Sequence, residues 1–332
     1  MAEPVPVAAS AAGPALSICV LNWNTRGLLR DCLESLFADP DSAGWEIIVV
    51  DNASTDGSAA MVSEQFPVAR LIANERNLGF AGGNNVGLAG ARGRHLLILN
   101  SDTRVESGTL GQLVDHLDRN PRDGAVGPRL VNADGSLQLS CGRPPGLGAE
   151  IVHKLLLHRA FPFFRFGRWD HKSARSVGWV TGACLMVRRA AVDQVGFLDD
   201  SIYMCFEDLE WCMRLRQAGW GVVYLPVGRV VHLEGQSIAQ NLEEMLVVSQ
   251  QSLYYLFQKH FGPVRVAALR ALTAVEMLLR SIIWTGGAWL AAPRRRGEAR
   301  QRLAAYRRIL HRTLLDRSYW DPGRAAVSRD ES

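Results

Sequence analysis

Four side chains carry most of the chemistry that this sequence can offer: Asp102, Glu207, Asp208 and His232. Asp102 closes the segment Asn100-Ser101-Asp102 directly after the apolar run HLLIL. A short carboxylate there suits a hard divalent cation, Mg²⁺ or Mn²⁺, which takes its other ligands from phosphate and water. Glu207 and Asp208 open a helix, where the dipole favours a negative charge and where an acid also serves as a plain cap. His232 follows a strand-like run, and a lone His is often structural. Together the set reads as a metal site beside a general base.

Two more polar clusters follow apolar runs: Asn22-Trp23-Asn24, and Asp51 through Asp56 (DNASTD). Asn and Asp in such places also cap the next helix. In an open parallel sheet, however, ligands sit beyond the carboxyl ends of the strands, and three such clusters share that edge. The segment Asn77–Gly87 (NLGFAGGNNVG) has four glycines, which on its own is no more than a flexible turn with close helix packing requires. Neither GxGxxG nor GxxxxGK[ST] occurs, which removes the main support for dinucleotide and P-loop readings.

The elements that must hold these residues alternate. Strands are expected at 15–22, 45–51, 69–73 and 94–100, and helices at 26–37, 58–66, 80–91 and 106–120. Continuous Val/Ile/Leu strands between short helices predict a mostly parallel sheet covered on both faces, a Rossmann-like α/β fold. Runs at 124–131 and 137–140 flank the turn sequence Asn-Ala-Asp-Gly. The period then fails over 141–176, which reads as a mobile insertion. A strand at 177–188, a helix at 207–218 and a strand at 222–226 follow. From 237 onward the chain reads as helical. Glu210 and Arg214 are spaced to pair on a helix surface, and Cys205 and Cys212 to share one helical face.

The 332 residues, 48% hydrophobic and 21% charged, exclude fibrous and disordered classes. Six cysteines without CxxC spacing suit reduced thiols in a cytosolic protein. Residues 1–14 have no basic start of a secretory signal and are expected to form a loose tail. The longest uncharged apolar stretch of note, Ser281 to Ala292, has twelve residues, short of the about 20 that span a bilayer. Net charge is +4, yet residues 263–312 hold eleven Arg and two Glu, about +9, which leaves about −5 elsewhere. The basic character is local, so nucleic acid is not the expected partner. In Val266–Leu290 a narrow polar stripe (Arg270, Thr273, Glu276, Arg280) faces a broad apolar one, and Arg294, Arg295 and Arg296 follow. Basic amphipathic helices with Trp lie at anionic membrane surfaces; a helical pair packed on the rest of the chain is the other reading.

The ordered set of motifs resembles the inverting family 2 glycosyltransferases of GT-A fold, most of all their bacterial rhamnosyltransferase branch. The matching pieces are VLNWN at 20–24, DNASTDGS at 51–58, NLGFAGGNNVGL at 77–88, LNSD at 99–102, TGACLMVRR at 181–189, FEDLE at 206–210 and HLEGQS at 232–237. The resemblance covers roughly 15–240 and implies roles. Asp51 is similar to the residue that holds the donor's pyrimidine; Asn22 and Asn24 border that nucleotide, and Asn77 and Asn85 match the donor loop. Asp102 resembles the last carboxylate of a DXD-type metal motif whose first position is here Asn100. His232 resembles a later metal-ligand or diphosphate-side His, and Asp208 the catalytic base, with Glu207 orienting its helix.

The implied domains are a tail (1–14), a catalytic domain (15–236; nucleotide-sugar half 15–131, acceptor half 132–236) and a basic helical region (237–332). The implied partners are a dTDP- or UDP-sugar, with dTDP-rhamnose the first choice, and a glycan or polyprenyl-diphosphate-linked acceptor. The implied place is the inner face of the cell membrane, held peripherally. A nucleotidyltransferase would want a basic Gly-rich loop near the first strand, where residues 21–27 carry only Arg26. A non-catalytic binding protein would lack the base, which is present.

Overall fold

The computed structural model describes residues 13–155, 157, 169–233, 242–290 and 293–320. In chain order the site-bearing elements are β1 (Leu16–Asn22), α1 (Arg26–Phe37), β2 (Trp45–Asp51), α2 (Ser58–Gln65), β3 (Arg70–Ala73), α3 (Gly79–Ala89), β4 (His95–Asn100), β5 (Thr103–Val105), α4 (Thr109–Arg119), β6 (Asp123–Gly127) and β7 (Leu130–Val131). There follow β8 (Cys141–Gly142), α5 (Leu147–Lys154), β9 (Arg175–Ser176), β10 (Trp179–Val180), β11 (Cys184–Arg188), α6 (Arg189–Val195), α7 (Glu207–Gln217), β12 (Gly221–Tyr224) and β13 (Val230–His232). The C-terminal helices are α8 (Leu242–Phe261), α9 (Pro263–Leu290), α10 (Pro293–Leu315) and α11 (Arg317–Trp320).

An eight-stranded sheet runs β3-β2-β1-β4-β11-β6-β12-β9. The first four strands are parallel, and β11 lies antiparallel between β4 and β6. Strand β1 is buried on both sides, as its uninterrupted apolar sequence requires. One face packs on α1 and α4 through Leu33, Leu36 and Leu113, the other on α3 and α7 through Leu88, Trp211 and Leu215. Helix α3 lies tight on the sheet because it carries glycine there. A Cβ at Gly87 would collide with Cys19 Sγ, and one at Gly83 with Leu21. Gly83 and Gly87 of NLGFAGGNNVG therefore serve the close helix packing expected of that segment.

Several expectations are corrected. The expected strand at 177–188 is two strands, broken at Thr181–Ala183 by a turn. Part of the expected insertion is ordered as β8, α5 and β9; residues 156 and 158–168 of it lie outside the described residues, as do the tail 1–12 and positions 234–241. Cys205 precedes α7 rather than sharing a face with Cys212, because Cys205 and Phe206 turn left-handed at φ 67° and 71°. All six thiols are free, and burial pushes Cys212 up to about 12, so it is no nucleophile. Glu210 and Arg214 do pair, at 2.8 Å, but the Glu210 carboxylate is buried rather than on the surface. It also meets Lys259 at 2.7 Å and His260 at 3.1 Å, both on α8. These charged groups tie the C-terminal helices to α7.

The C-terminal helices share an apolar core with α7 through Leu209, Met213, Tyr254, Phe257, Leu269 and Tyr306. Helix α9 turns part of its polar stripe inward beside Leu269 and Met277: Thr273 is 0% and Glu276 5% exposed, while Ile282 and Ile283 stand 70% and 51% exposed. Glu276 turns in because Lys154 of α5 meets it there at 2.8 Å. Among the described residues no helix is long and apolar enough to cross a membrane.

Candidate active site

The carboxyl ends of β1 and β2 form a closed polar floor. Asn22 Nδ2 donates to Asp51 Oδ1 at 3.0 Å and to Ser54 Oγ at 3.1 Å, and Ser54 N donates to Asp51 Oδ2 at 3.0 Å. Thr25 Oγ1 donates to Asn22 Oδ1 at 2.7 Å. Asn24 closes the rim, its Oδ1 accepting from Thr55 N at 2.8 Å. Parallel register places Asn22 directly opposite Asp51, which is why two residues so far apart in sequence can bond. The expected donor residues Asn22, Asn24 and Asp51 thus meet. Asn24 and Ala53 pay for their positions with left-handed backbone, φ 52° and 65°, strain on the order of 1–3 kcal/mol each that concentrates at functional loops.

Asn77 joins this floor through a residue not singled out from sequence. Asn52 Nδ2 donates to Asn77 Oδ1 at 2.7 Å and to Gly79 O at 3.1 Å, while Asn52 Oδ1 accepts from Leu78 N at 3.0 Å. Asn85 does not join it. Its amide bonds the Leu198 backbone at both ends, Nδ2 to Leu198 O at 2.8 Å and Leu198 N to Oδ1 at 3.1 Å. A second tie lies nearby, where Phe80 N donates to Tyr203 O at 2.8 Å. Gly79, at φ 73°, passes so close to Tyr203 that a Cβ there would clash with it at 2.5 Å.

A hydroxyl pair, Thr25 Oγ1 and Ser101 Oγ at 2.9 Å, links the floor to the end of β4. There Asp102 Oδ1 lies 3.3 Å from His232 Nε2, and Asn100 Nδ2 lies 3.3 Å from the same nitrogen. β13 pairs antiparallel with β5, His232 opposite Thr103, and this small sheet carries the His to the β4 edge. Gln138, absent from the sequence reading, fixes the ring. Its Nε2 donates to Asn132 Oδ1 at 3.0 Å, so its Oε1 accepts from His232 Nδ1–H at 2.8 Å. His232 Nε2 then faces both the Asp102 carboxylate and the Asn100 amide. An imidazole nitrogen and a carboxylate side by side are ligand types that suit a cation, and Gln138 stands where an outer-sphere partner usually orients a metal-binding His. Among the described residues no group of three or more His, Cys, Asp or Glu forms a metal cluster, so a cation there would draw its other ligands from a phosphate-bearing substrate.

Asp208 sits in the first turn of α7, after the strained Cys205-Phe206 pair. Gly182 N donates to its Oδ2 at 2.7 Å and Leu209 N to its Oδ1 at 2.7 Å. Gly182 belongs to the turn before β11, whose Ala183 O accepts from Asn100 N at 3.1 Å. One turn thus connects the base candidate with the Asp102 edge. Burial pushes the Asp208 carboxyl above its usual range, against the pull of its backbone donors. Burial, then the charge of Asp208, pushes Glu207 much further; its Oε2 has no hydrogen-bond partner. Of the two, Glu207 is the one pushed further towards its neutral form.

A polar floor, an Asp–His pair and a carboxylate held by two backbone N–H groups thus gather at one end of the sheet. Glycosyl transferase family 2 matches residues 17–196, more than half of the chain. The chain belongs to that family. This family 2 glycosyltransferase is 32% identical over 255 residues to the N-acetylglucosaminyl-diphospho-decaprenol L-rhamnosyltransferase of Mycobacterium tuberculosis, covering 71% of this chain and 81% of that one. It is 22% identical over 275 residues to the low-salt glycan biosynthesis hexosyltransferase Agl10 of Haloferax volcanii, 82% of each chain. Among solved structures, the mannosyltransferase of Pyrobaculum calidifontis in complex with GDP-Man and Mn²⁺ superposes with a TM-score of 0.58 at 18% identity, over 92% of this chain and 88% of that one. That likeness bears out the GT-A fold expected of a mostly parallel sheet with helices around it.

Proposed function

We propose that this glycosyltransferase moves L-rhamnose, from dTDP-rhamnose, to a hydroxyl of a polyprenyl-diphosphate-linked glycan in cell-surface polysaccharide synthesis. The catalytic domain would span 15–236, with 15–131 holding the donor and 132–236 facing the acceptor. The carrying observation is the placing of Asp208 in the first turn of α7, its carboxylate aimed by two backbone N–H groups and raised by burial beside Glu207. The rhamnose and the lipid-linked acceptor are drawn from the mycobacterial relative's activity.

Asp51, Asn22 and Asn24 would bind the nucleotide, and Asn77 the donor loop; Asn85 would hold that loop against the acceptor half. Asp208 takes the proton of the acceptor hydroxyl as its oxygen bonds to the anomeric carbon. The bond from that carbon to the diphosphate oxygen breaks, its electron pair leaves with the diphosphate, and the single displacement inverts the centre. Asp102 and His232 would hold Mg²⁺ or Mn²⁺, with Asn100 beside them. Such a cation neutralises the charge growing on the leaving diphosphate. The Mn²⁺ in the archaeal mannosyltransferase complex is in keeping with this choice.

The exposed apolar face of α9 and the Arg-rich stretch beyond it support peripheral attachment to an anionic membrane at the cytoplasmic side. A screen of nucleotide sugars tests the function: dTDP-rhamnose should be consumed only with acceptor and divalent cation present, and excess EDTA should stop transfer until Mn²⁺ or Mg²⁺ is returned. Full activity in EDTA would remove the metal, and indifference to every nucleotide sugar the whole reading. Co-sedimentation with anionic vesicles at low salt, reversed in part by high salt, checks the membrane. No binding at low salt rules attachment out.

A further inference from the structure

Between the base helix and the C-terminal helices lies a cavity of about 1370 Å³, larger than the roughly 300–1,000 Å³ of most ligand sites. Phe206 and Leu209, which bracket Glu207 and Asp208, form part of its wall, and Leu253, Met277 and Ile309 of the C-terminal helices form another part. Three of its charged side chains are closed on one another. Lys154 Nζ lies 2.8 Å from Glu276 Oε2, and Arg280 Nε donates to Glu276 Oε1 at 2.8 Å. Lys154 also donates to Gln250 Oε1 at 2.9 Å. A bare glycan would need many hydroxyl partners here, whereas Lys154, Glu276 and Arg280 are already paired with one another. Much of the remaining wall is apolar, and the buried Gln250 Nε2 is left with no hydrogen-bond partner. That combination suits a hydrocarbon chain ending in an oxygen-bearing head.

The surroundings give such a chain a way in. Leu139, an exposed apolar residue, lines the cavity, as does exposed Arg143. The outer face of α9 presents exposed Leu278, Ile282 and Ile283, so the helix whose inner side walls the cavity has an outer side suited to lipid.

We propose that this cavity takes the prenyl chain of the lipid-linked acceptor and so holds its sugar beside Asp208. The inference rests on the reading of the chain as a transferase to a lipid-linked acceptor, and deepens it: the lipid is gripped by the protein and does more than anchor the acceptor in the bilayer.

The test uses the full chain without vesicles. A dansyl-labelled farnesyl phosphate should bind saturably, and Gly148→Trp should weaken that binding at least tenfold. Gly148 lines the cavity, and a Cβ added there meets nothing; Gly146→Leu, at a second open position on the wall, serves if the first variant misfolds. Unchanged binding of UDP and dTDP reports an intact fold. With N-acetylglucosaminyl diphosphates carrying a farnesyl or a methyl group, the native protein should show a KM at least tenfold lower for the farnesyl acceptor, and cavity filling should collapse that ratio. Equal probe binding by native and filled proteins, or equal KM for the two acceptors, overturns the proposal. Probe binding that follows the cavity while neither acceptor is glycosylated supports the cavity and refutes the acceptor reading.

Discussion

The polar floor at the strand ends and the wall of the cavity beside α7 are built from different materials. The floor is a lattice of short polar side chains, fixed by parallel register, with Asn22, Asp51 and Ser54 bonding one another and Asn52 bonding Asn77. The wall bounds an open volume between helices, with Lys154, Glu276 and Arg280 paired on one another. An oxygen-rich, charged ligand needs dipoles already in place before it arrives, and a sheet edge supplies them. A hydrocarbon needs only dry space of the right size, and helices that meet late in the chain can enclose it. The floor should therefore be brittle towards isosteric polar substitutions and the wall towards changes of volume and of buried charge.

The largest expected break lies where the two regions meet. Asp208→Asn keeps shape and removes the base, so transfer should fall about 10²–10⁴-fold with dTDP affinity kept; near-normal turnover by a folded variant would take Asp208 out of the role. Next comes the wall. Lys154→Met leaves Glu276 with Arg280 alone, and should cost roughly 3 kcal/mol in urea unfolding, the low end for breaking a buried pair, without altering nucleotide affinity. A loss below about 1 kcal/mol would mean that the pair behaves like a surface one. On the floor, Asp51→Asn sets an amide N–H against either the Asn22 amide or Ser54 N–H. An unsatisfied buried donor costs about 1–3 kcal/mol, so urea unfolding should report a loss of that order, and calorimetry should find dTDP binding weakened as the floor is distorted. Full affinity would place the nucleotide elsewhere.

The smallest effect is expected at Glu207. Asp208 must lose its proton to work, and burial raises its pKa, so activity should fall as pH drops through a value above the ~4 of ordinary carboxylates. Burial and the Asp208 charge push Glu207 up further than Asp208, so Glu207 should be neutral across that limb. Glu207→Gln should leave the acid limb of kcat/KM where it was; a limb that moves to lower pH would show that Glu207 carries charge and lifts its neighbour.

The floor was readable in the sequence because its residues are chemical in type and follow long apolar strands; Asn22, Asp51 and Asp102 stand where β1, β2 and β4 end. The small sheet was not, since Thr103–Val105 and Val230–His232 are too short to show a period and find each other only across the fold. Gln138 stayed hidden for the same reason: its claim to His232 rests on a contact between distant segments. The face of α9 that turns inward could not be read either. Amphipathic spacing marks two sides but not which is buried, and the usual rule fails at Glu276 because Lys154, far back in the chain, waits inside for it. Left-handed backbone at Cys205 and Phe206, neither of them glycine, carries no compositional signal.

The ties between Asn85 and Leu198, and between Phe80 and Tyr203, bear on how this enzyme can be re-engineered. They lash the loop that would cradle the sugar-nucleotide to the segment that delivers the base. A chimaera cut after residue 131, to exchange one sugar specificity for another, would sever both lashings and leave Gly79 pressed against a foreign Tyr203 equivalent. The heritable cassette is discontinuous: positions 77–85 must travel with 196–208, and a library that shuffles them independently will return mostly folded but idle proteins.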